Sequence, residues 1–187
     1  MEPLDDNSWD SCGIKQCLDL KKRNLDEIPD FPLQPSLVKL DLSNNNISRL
    51  ESLRLASFGN VQVLSLCRNH LGALGGLHVL RALRHLDVSH NQLTTLKGLE
   101  TLEGLQSLRV VNNSIAKLGC LRALTFNTQL TVTDMRGNPL VMQPHYRSRL
   151  RTTLPGLLEF DGQFTSAHLQ ARRRASMAAV TPTATAM

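Results

Sequence analysis

Residues 37–50 read LVKLDLSNNNISRL, with apolar residues at Leu37, Leu40, Leu42, Ile47 and Leu50. Their gaps fit neither the period of a helix nor the alternation of a strand. The rhythm, with an asparagine at its centre, runs from Leu37 through Asn45 to Leu53 and then returns. It recurs as Val61, Leu64, Leu66, Asn69, Leu71, Leu74 and Leu77, and again as Leu83, Leu86, Val88, Asn91, Leu93, Leu96 and Leu99. A further copy is Leu105, Leu108, Val110, Asn113, Ile115, Leu118 and Leu121. Measured at the second position, the steps are 24, 22 and 22 residues. Two outer copies are degenerate. Upstream, Leu18, Leu20, Leu25 and Ile28 keep the frame with Arg23 in place of asparagine. Downstream, Leu130, Met135, Asn138 and Leu140 keep it with Thr133 and Pro139 as departures. Degenerate ends are expected of a stack, because a terminal copy has one face without a neighbour.

Each period reads as one coil of a solenoid. The LxL part forms a short strand whose alternate side chains point inward. The chain then turns sideways, which leaves buried backbone groups without ladder partners. An asparagine amide both donates and accepts, so it can bridge to them. Asn45, Asn69, Asn91, Asn113 and Asn138 therefore read as an internal, structural ladder. A leucine-rich helical bundle would instead need leucines at spacings of three and four, without fixed asparagines.

The pattern resembles the leucine-rich repeat in its intracellular, short-repeat class, over roughly residues 14–160. The resemblance implies an α/β fold: a right-handed leucine-rich repeat solenoid with a parallel sheet on its concave face. Short helices or turns would form the convex face, and a helical cap would close the C-terminal end. The expected divisions are an extension at 1–13, about six repeats at 14–140, a cap at 141–164, and a basic helix with a disordered tail at 165–187. The GNP, YR, LP and DG elements after Arg136 are those of the family's cap. Within it, His145–Leu154 reads as a helix with Tyr146, Leu150 and Leu154 on one face, ended by Pro155. LLEFDG would supply a last strand, with a basic helix over 161–175 beyond it. Trp9 either folds back on the first coil or belongs to a loose terminus.

Composition agrees. The chain is 41% hydrophobic but only 4% aromatic, so the core must be aliphatic. Residues 1–30 carry a net −4, residues 31–140 a net +5 and residues 141–187 a net +4. The basic residues are not interleaved with aromatics, so direct nucleic-acid binding is not expected. No apolar run approaches a membrane span. The acidic start, MEPLDDNSWD, argues against a secretory or mitochondrial leader. Cys12, Cys17, Cys67 and Cys120 lack zinc-site spacing, and a reducing, intracellular compartment is expected.

Side chains flanking the inward leucines should cross the concave face. The candidate protein-binding set is Lys39, Asp41, Val63, Ser65, Cys67, His85, Asp87, Ser89, Arg109, Val111, Asp134 and Arg136. Val63, Cys67 and Val111 form an apolar strip expected to be exposed. Asp41, Asp87, Arg109, Asp134 and Arg136 surround it with charges of both signs, as a binding face requires. His85, Asp87 and Cys67 could imitate a base, orienter and nucleophile. Nothing accompanies them: there is no glycine-rich anion nest, and an open sheet does not exclude water. No catalytic residue, cofactor or metal is expected. RRRAS, residues 172–176, matches a basophilic kinase site at Ser176, a motif that also arises often by chance.

The expected function is a non-enzymatic adaptor, monomeric within a larger complex. The chain is similar to the leucine-rich light chain of axonemal outer-arm dynein, which implies a dynein- or tubulin-associated partner in flagellum or cytoplasm. It is also similar to the spliceosomal A-prime protein, which implies an RNA-binding protein partner in the nucleus. It is similar as well to the leucine-rich regulator of protein phosphatase one, which shares the capped architecture and implies a phosphatase regulatory subunit.

Overall fold

The computed structural model describes residues 16–165 together with residues 168 and 169. The strands are β1 (Cys17–Asp19), β2 (Lys39–Asp41), β3 (Val63–Ser65), β4 (His85–Asp87), β5 (Ser107–Arg109), β6 (Val132–Asp134), β7 (Glu159–Phe160) and β8 (Gln163–Phe164). They form one sheet in sequence order, parallel from β1 to β7, with β8 antiparallel to β7. The return limbs hold only a turn or two of helix: α1 (Ser52–Leu55) and 3₁₀ segments at Ala56–Phe58, Gly75–Val79, Leu118–Leu124 and Pro139–Met142. A coil this short leaves too little chain for a full α-helix on the way back, and 3₁₀ geometry suits short pieces.

Register stacks like on like. Leu18, Leu40, Leu64, Leu86 and Leu108 are partners in successive rows, and Thr133 takes the place in β6. Leu40, Leu64, Leu86 and Leu108 are at most 2% exposed. Each such burial contributes roughly 1.5–3 kcal/mol relative to exposure. Thr133 is equally buried, and its hydroxyl has no hydrogen-bond partner among the described residues.

The asparagines bond in one repeating scheme. Each Oδ1 accepts from an amide of the preceding coil: Leu25 to Asn45, Ile47 to Asn69, Leu71 to Asn91, Leu93 to Asn113 and Ile115 to Asn138, all at 2.9–3.1 Å. Each Nδ2 donates to the carbonyl three residues back in its own coil: Leu42, Leu66, Val88, Val110 or Met135. It also donates to the matching carbonyl one coil earlier: Leu20, Leu42, Leu66, Val88 or Val110. In the first coil, where Arg23 stands in the asparagine position, the Arg23 amide donates forward to Asn45.

Two expectations are corrected. Leu53 is not a core residue: it is 88% exposed, while Leu55 and Phe58 are fully buried. The longer step between Leu40 and Leu64 shifts the return limb, and α1 absorbs the extra residues with Leu53 facing out. The helix expected over 161–175 does not begin at 161. Residues 161 and 162 form a turn, β8 follows, and helical conformation is described only at His168 and Leu169. The remainder of that helix, the tail, Ser176, Trp9 and Cys12 lie outside the described residues.

The cap is built on α2 (Tyr146–Thr153), which buries Tyr146 and Leu150, with Leu154 buried just after it. Arg147 and Arg151 place their guanidiniums 5.5 and 5.6 Å from the Phe160 ring centre. In earlier rows the strand ladder continues past the strand through backbone carbonyls, as in Val110 N–H to Asp134 O. At the end, the Met135 amide instead donates to the Asp161 carboxylate at 2.9 Å. The Asp161 amide still donates to the Thr133 carbonyl, but the substitution releases the Asp161 carbonyl from the ladder where the chain, at φ +52°, turns into β8.

Candidate protein-binding face

The outward side of the sheet lines a concave groove of about 500 Å³. Three columns run along it. The first holds Lys39, Val63, His85 and Ser107; the second Asp19, Asp41, Ser65, Asp87, Arg109 and Asp134. The third, two residues further on, holds Ser43, Cys67, Ser89, Val111 and Arg136. Adjacent rows are about 4.8 Å apart. The candidate set is thus brought to one surface, although the side chains differ in what they can offer a partner.

The four aspartates of the second column each accept the amide two residues ahead: Asp19 from Lys21, Asp41 from Ser43, Asp87 from Ser89 and Asp134 from Arg136, at 2.9–3.2 Å. These bonds close an Asx turn where each strand ends. The spacing in LDLS, LDVS and TDMR carried that signal; the sequence reading took these aspartates only as surface charges. Asp41 and Asp134 are 4% and 6% exposed, and Ser65 and Ser89 are 9% and 5% exposed, so these side chains form the floor and are not a projecting rim. Asp41 also accepts the Ser43 hydroxyl, and Ser89 Oγ accepts the Val111 amide. Val63, Cys67 and Val111, expected to be exposed, are half-buried by their neighbours in the groove.

At the C-terminal end, Arg136 forks onto Asp134, Nε at 2.9 Å and Nη2 at 2.6 Å. Burial alone would raise the Asp134 carboxyl. Hydrogen bonds and charge from Arg136, with Arg109 beyond, outweigh it and hold the group below its ordinary value. At the centre, Arg109 is half-buried, and its guanidinium makes no hydrogen bond or ion pair among the described residues.

The trio His85, Asp87 and Cys67 is poorly suited to nucleophilic chemistry. Burial, then the Asp87 charge, pushes the Cys67 thiol up to about 11, so it stays protonated at neutral pH. Burial, then the Arg84 and Lys39 charges, lowers the His85 imidazole and keeps it neutral. His85 Nδ1 is enclosed without a partner among the described residues. In register, His85 lies beside Val63 and Asp87 beside Ser65, so the three do not line up as a relay. Among the described residues, no three His, Cys, Asp or Glu side chains converge as a metal site would need. No helix among them is long and apolar enough to cross a membrane.

The leucine-rich repeat family model matches residues 36–58 and 82–103. Dynein axonemal assembly factor 11 of Trypanosoma brucei brucei is 35% identical over 128 residues, 68% of this chain and 33% of that protein. An uncharacterized leucine-rich repeat-containing protein of Schizosaccharomyces pombe is 38% identical over 73 residues, 38% of this chain and 12% of that protein. The chain therefore spans a third or less of the length of these curated relatives. Among solved structures, a chain in the Drosophila melanogaster SNF/U2A′ complex superposes with a TM-score of 0.63. It is 25% identical, and the match covers 72% of this chain and 78% of that one. The asparagine ladder, the leucine rows of a parallel sheet and these likenesses together make the chain a leucine-rich repeat protein.

Proposed function

We propose that the chain is a non-enzymatic adaptor that holds a partner protein on its concave sheet, within the machinery that assembles or docks axonemal dynein. The observation that carries this is the floor of the groove. Half-buried Val63, Cys67 and Val111 lie among charges of both signs, the composition of a protein-binding patch. A solenoid presents such a face as its extended binding surface. The likeness to the trypanosome dynein assembly factor supports the axonemal setting, in cytoplasm or flagellum.

A second reading has its own support. The likeness to a chain of the SNF/U2A′ complex favours a nuclear protein holding an RNA-binding partner. Affinity purification from cells, read by mass spectrometry, separates the two. Dynein chains or tubulin support the first reading, and spliceosomal RNA-binding proteins support the second. Val111→Asp should abolish capture in either case, because it places a carboxylate in a desolvated contact. Lys97→Glu, on an exposed return limb, should bind normally, and circular dichroism should show both variants folded. Loss of the partner in Lys97→Glu with retention in Val111→Asp would move the binding surface to the convex side.

A further inference from the structure

Two of the four aspartates on the concave face have a cation paired with them within the chain: Asp19 lies 3.1 Å from Lys21 Nζ, and Asp134 is forked by Arg136. Asp41, 4% exposed, is sealed into the floor, where its Oδ1 takes both the amide and the hydroxyl of Ser43. Asp87 is half-buried, open to the groove, and has neither a paired cation nor that seal. Its Oδ1 accepts the Ser89 amide, while its Oδ2 has no hydrogen bond or ion pair among the described residues. Arg109 is its register partner one row along. The two side chains are neighbours across about 4.8 Å of sheet, yet they do not form an ion pair. On its other side Arg109 meets Asp134, whose carboxylate Arg136 already occupies. Both uncommitted groups are half-buried in the middle rows of the groove, beside Cys67 and Val111. A half-desolvated charge without a partner is costly to hold, and covering it further without a counter-charge costs more. A ligand that seals this groove must therefore bring the missing charges.

We infer that Arg109 and Asp87 are the specificity-determining pair of the concave face, reading a carboxylate and a cation carried close together on one segment of the partner protein. This rests on the concave-face reading above. Arg109 offers a planar fork that takes an Asp or Glu side chain bidentately. Asp87 Oδ2 takes a Lys or Arg about one strand spacing away. An aliphatic side chain on the same segment covers Val111 and Cys67. A wholly acidic segment would meet Asp87, and a wholly basic one would meet Arg109, so each is rejected by like charge.

The test uses an array of short synthetic peptides on a serine–alanine background, each carrying or lacking one acidic, one basic and one leucine residue. The full-length protein should favour peptides with all three. Arg109→Glu should weaken those peptides roughly tenfold or more and shift preference to peptides without the acid. Asp87→Lys should shift preference to peptides without the base. Arg122→Glu, exposed on a return limb, should leave the profile unchanged, and a thermal melt of each variant verifies folding. If Val111→Asp abolishes binding while Arg109→Glu and Asp87→Lys keep the wild-type profile, the groove binds but this pair does not read charge, and the inference falls alone. If all three variants keep the profile, binding lies elsewhere and the concave reading falls with it. Failure of the folded wild-type protein to capture any peptide also overturns the inference, because it requires recognition of a single segment.

Discussion

Arg54 reaches back to the first coil and donates from Nη1 to the Ile28 carbonyl at 2.9 Å. The same guanidinium lies 3.1 Å from Glu27, 3.6 Å from Asp30 and 3.0 Å from Glu51. One side chain thus ties the start of α1 to the loop below it. Arg54→Met should lower the thermal midpoint, since it leaves a carbonyl unpaired and three carboxylates without their cation. The loss should shrink in concentrated salt, which screens the charge component in the parent protein. Melts of both proteins at low and high sodium chloride check this. A midpoint unchanged at low salt would mean that the clamp contributes nothing.

Asn91 binds the Leu71 amide and the carbonyls of Leu66 and Val88, all within 2.9–3.0 Å. Asn91→Ala leaves the buried Leu71 amide unpaired, at about 1–3 kcal/mol, and leaves the Leu66 and Val88 carbonyls with one donor each, Asn69 and Asn113. The adjacent Gln92 is exposed and reaches only the His70 ring, at 3.4 Å. Gln92→Ala should therefore change stability by less than about 0.5 kcal/mol. Urea unfolding of the pair gives the comparison, and equal midpoints would contradict a structural role for the ladder.

Gly98 has φ +105°, and a Cβ there would fall 2.6 Å from the Leu74 carbonyl oxygen. Gly98→Ala should destabilise by about 1–3 kcal/mol through backbone strain, with steric overlap added. Gly72 has open space at the same point and no positive φ. Gly72→Ala should be neutral or should stabilise by about 0.4–1 kcal/mol. Denaturant midpoints with opposite signs are the expected result, and a well-tolerated Gly98→Ala would show that the coils can move apart.

The rows of the solenoid were readable in the sequence because one side-chain position recurs in the same surroundings. Leu40, Leu64, Leu86 and Leu108 meet the same neighbours, and so do the asparagines. Departures appear where the step lengthens. Before Leu64 the frame slips, and Leu55 and Phe58 enter the core in place of Leu53. Before Thr133 the added chain brings in Asn127, fully buried, whose amide donates to the Leu99 and Leu102 carbonyls. The repeat template has no position for it. The concave face was legible as a list of residues but not as chemistry. Whether Asp87 or Asp134 is free depends on which neighbour reaches it, and periodicity says nothing about that.

The Asp134–Arg136 pair makes stability depend on pH. Arg136 holds the folded Asp134 carboxyl below its ordinary value, despite burial acting the other way. The unfolded chain, with a carboxyl pKa near about 3.9, then binds the proton more readily. The pair's contribution is present above that unfolded value and is lost as pH falls through the lower folded one. Arg136→Met should therefore be less stable than the parent near neutrality, and the gap should close in acid. Urea midpoints at about pH 7 and at successive steps below about pH 4 measure it. A gap that stays constant through acid would assign the Arg136 contribution to packing.

Because every asparagine addresses the same atoms in the coil before it, a coil carries its own means of joining the stack. Deleting or duplicating one interior period leaves each remaining asparagine facing a leucine or isoleucine amide and carbonyls in familiar places. Groove length is thereby separable from groove chemistry. A lineage can lengthen the surface by copying a cassette, and afterwards vary only the few outward side chains that the cassette carries.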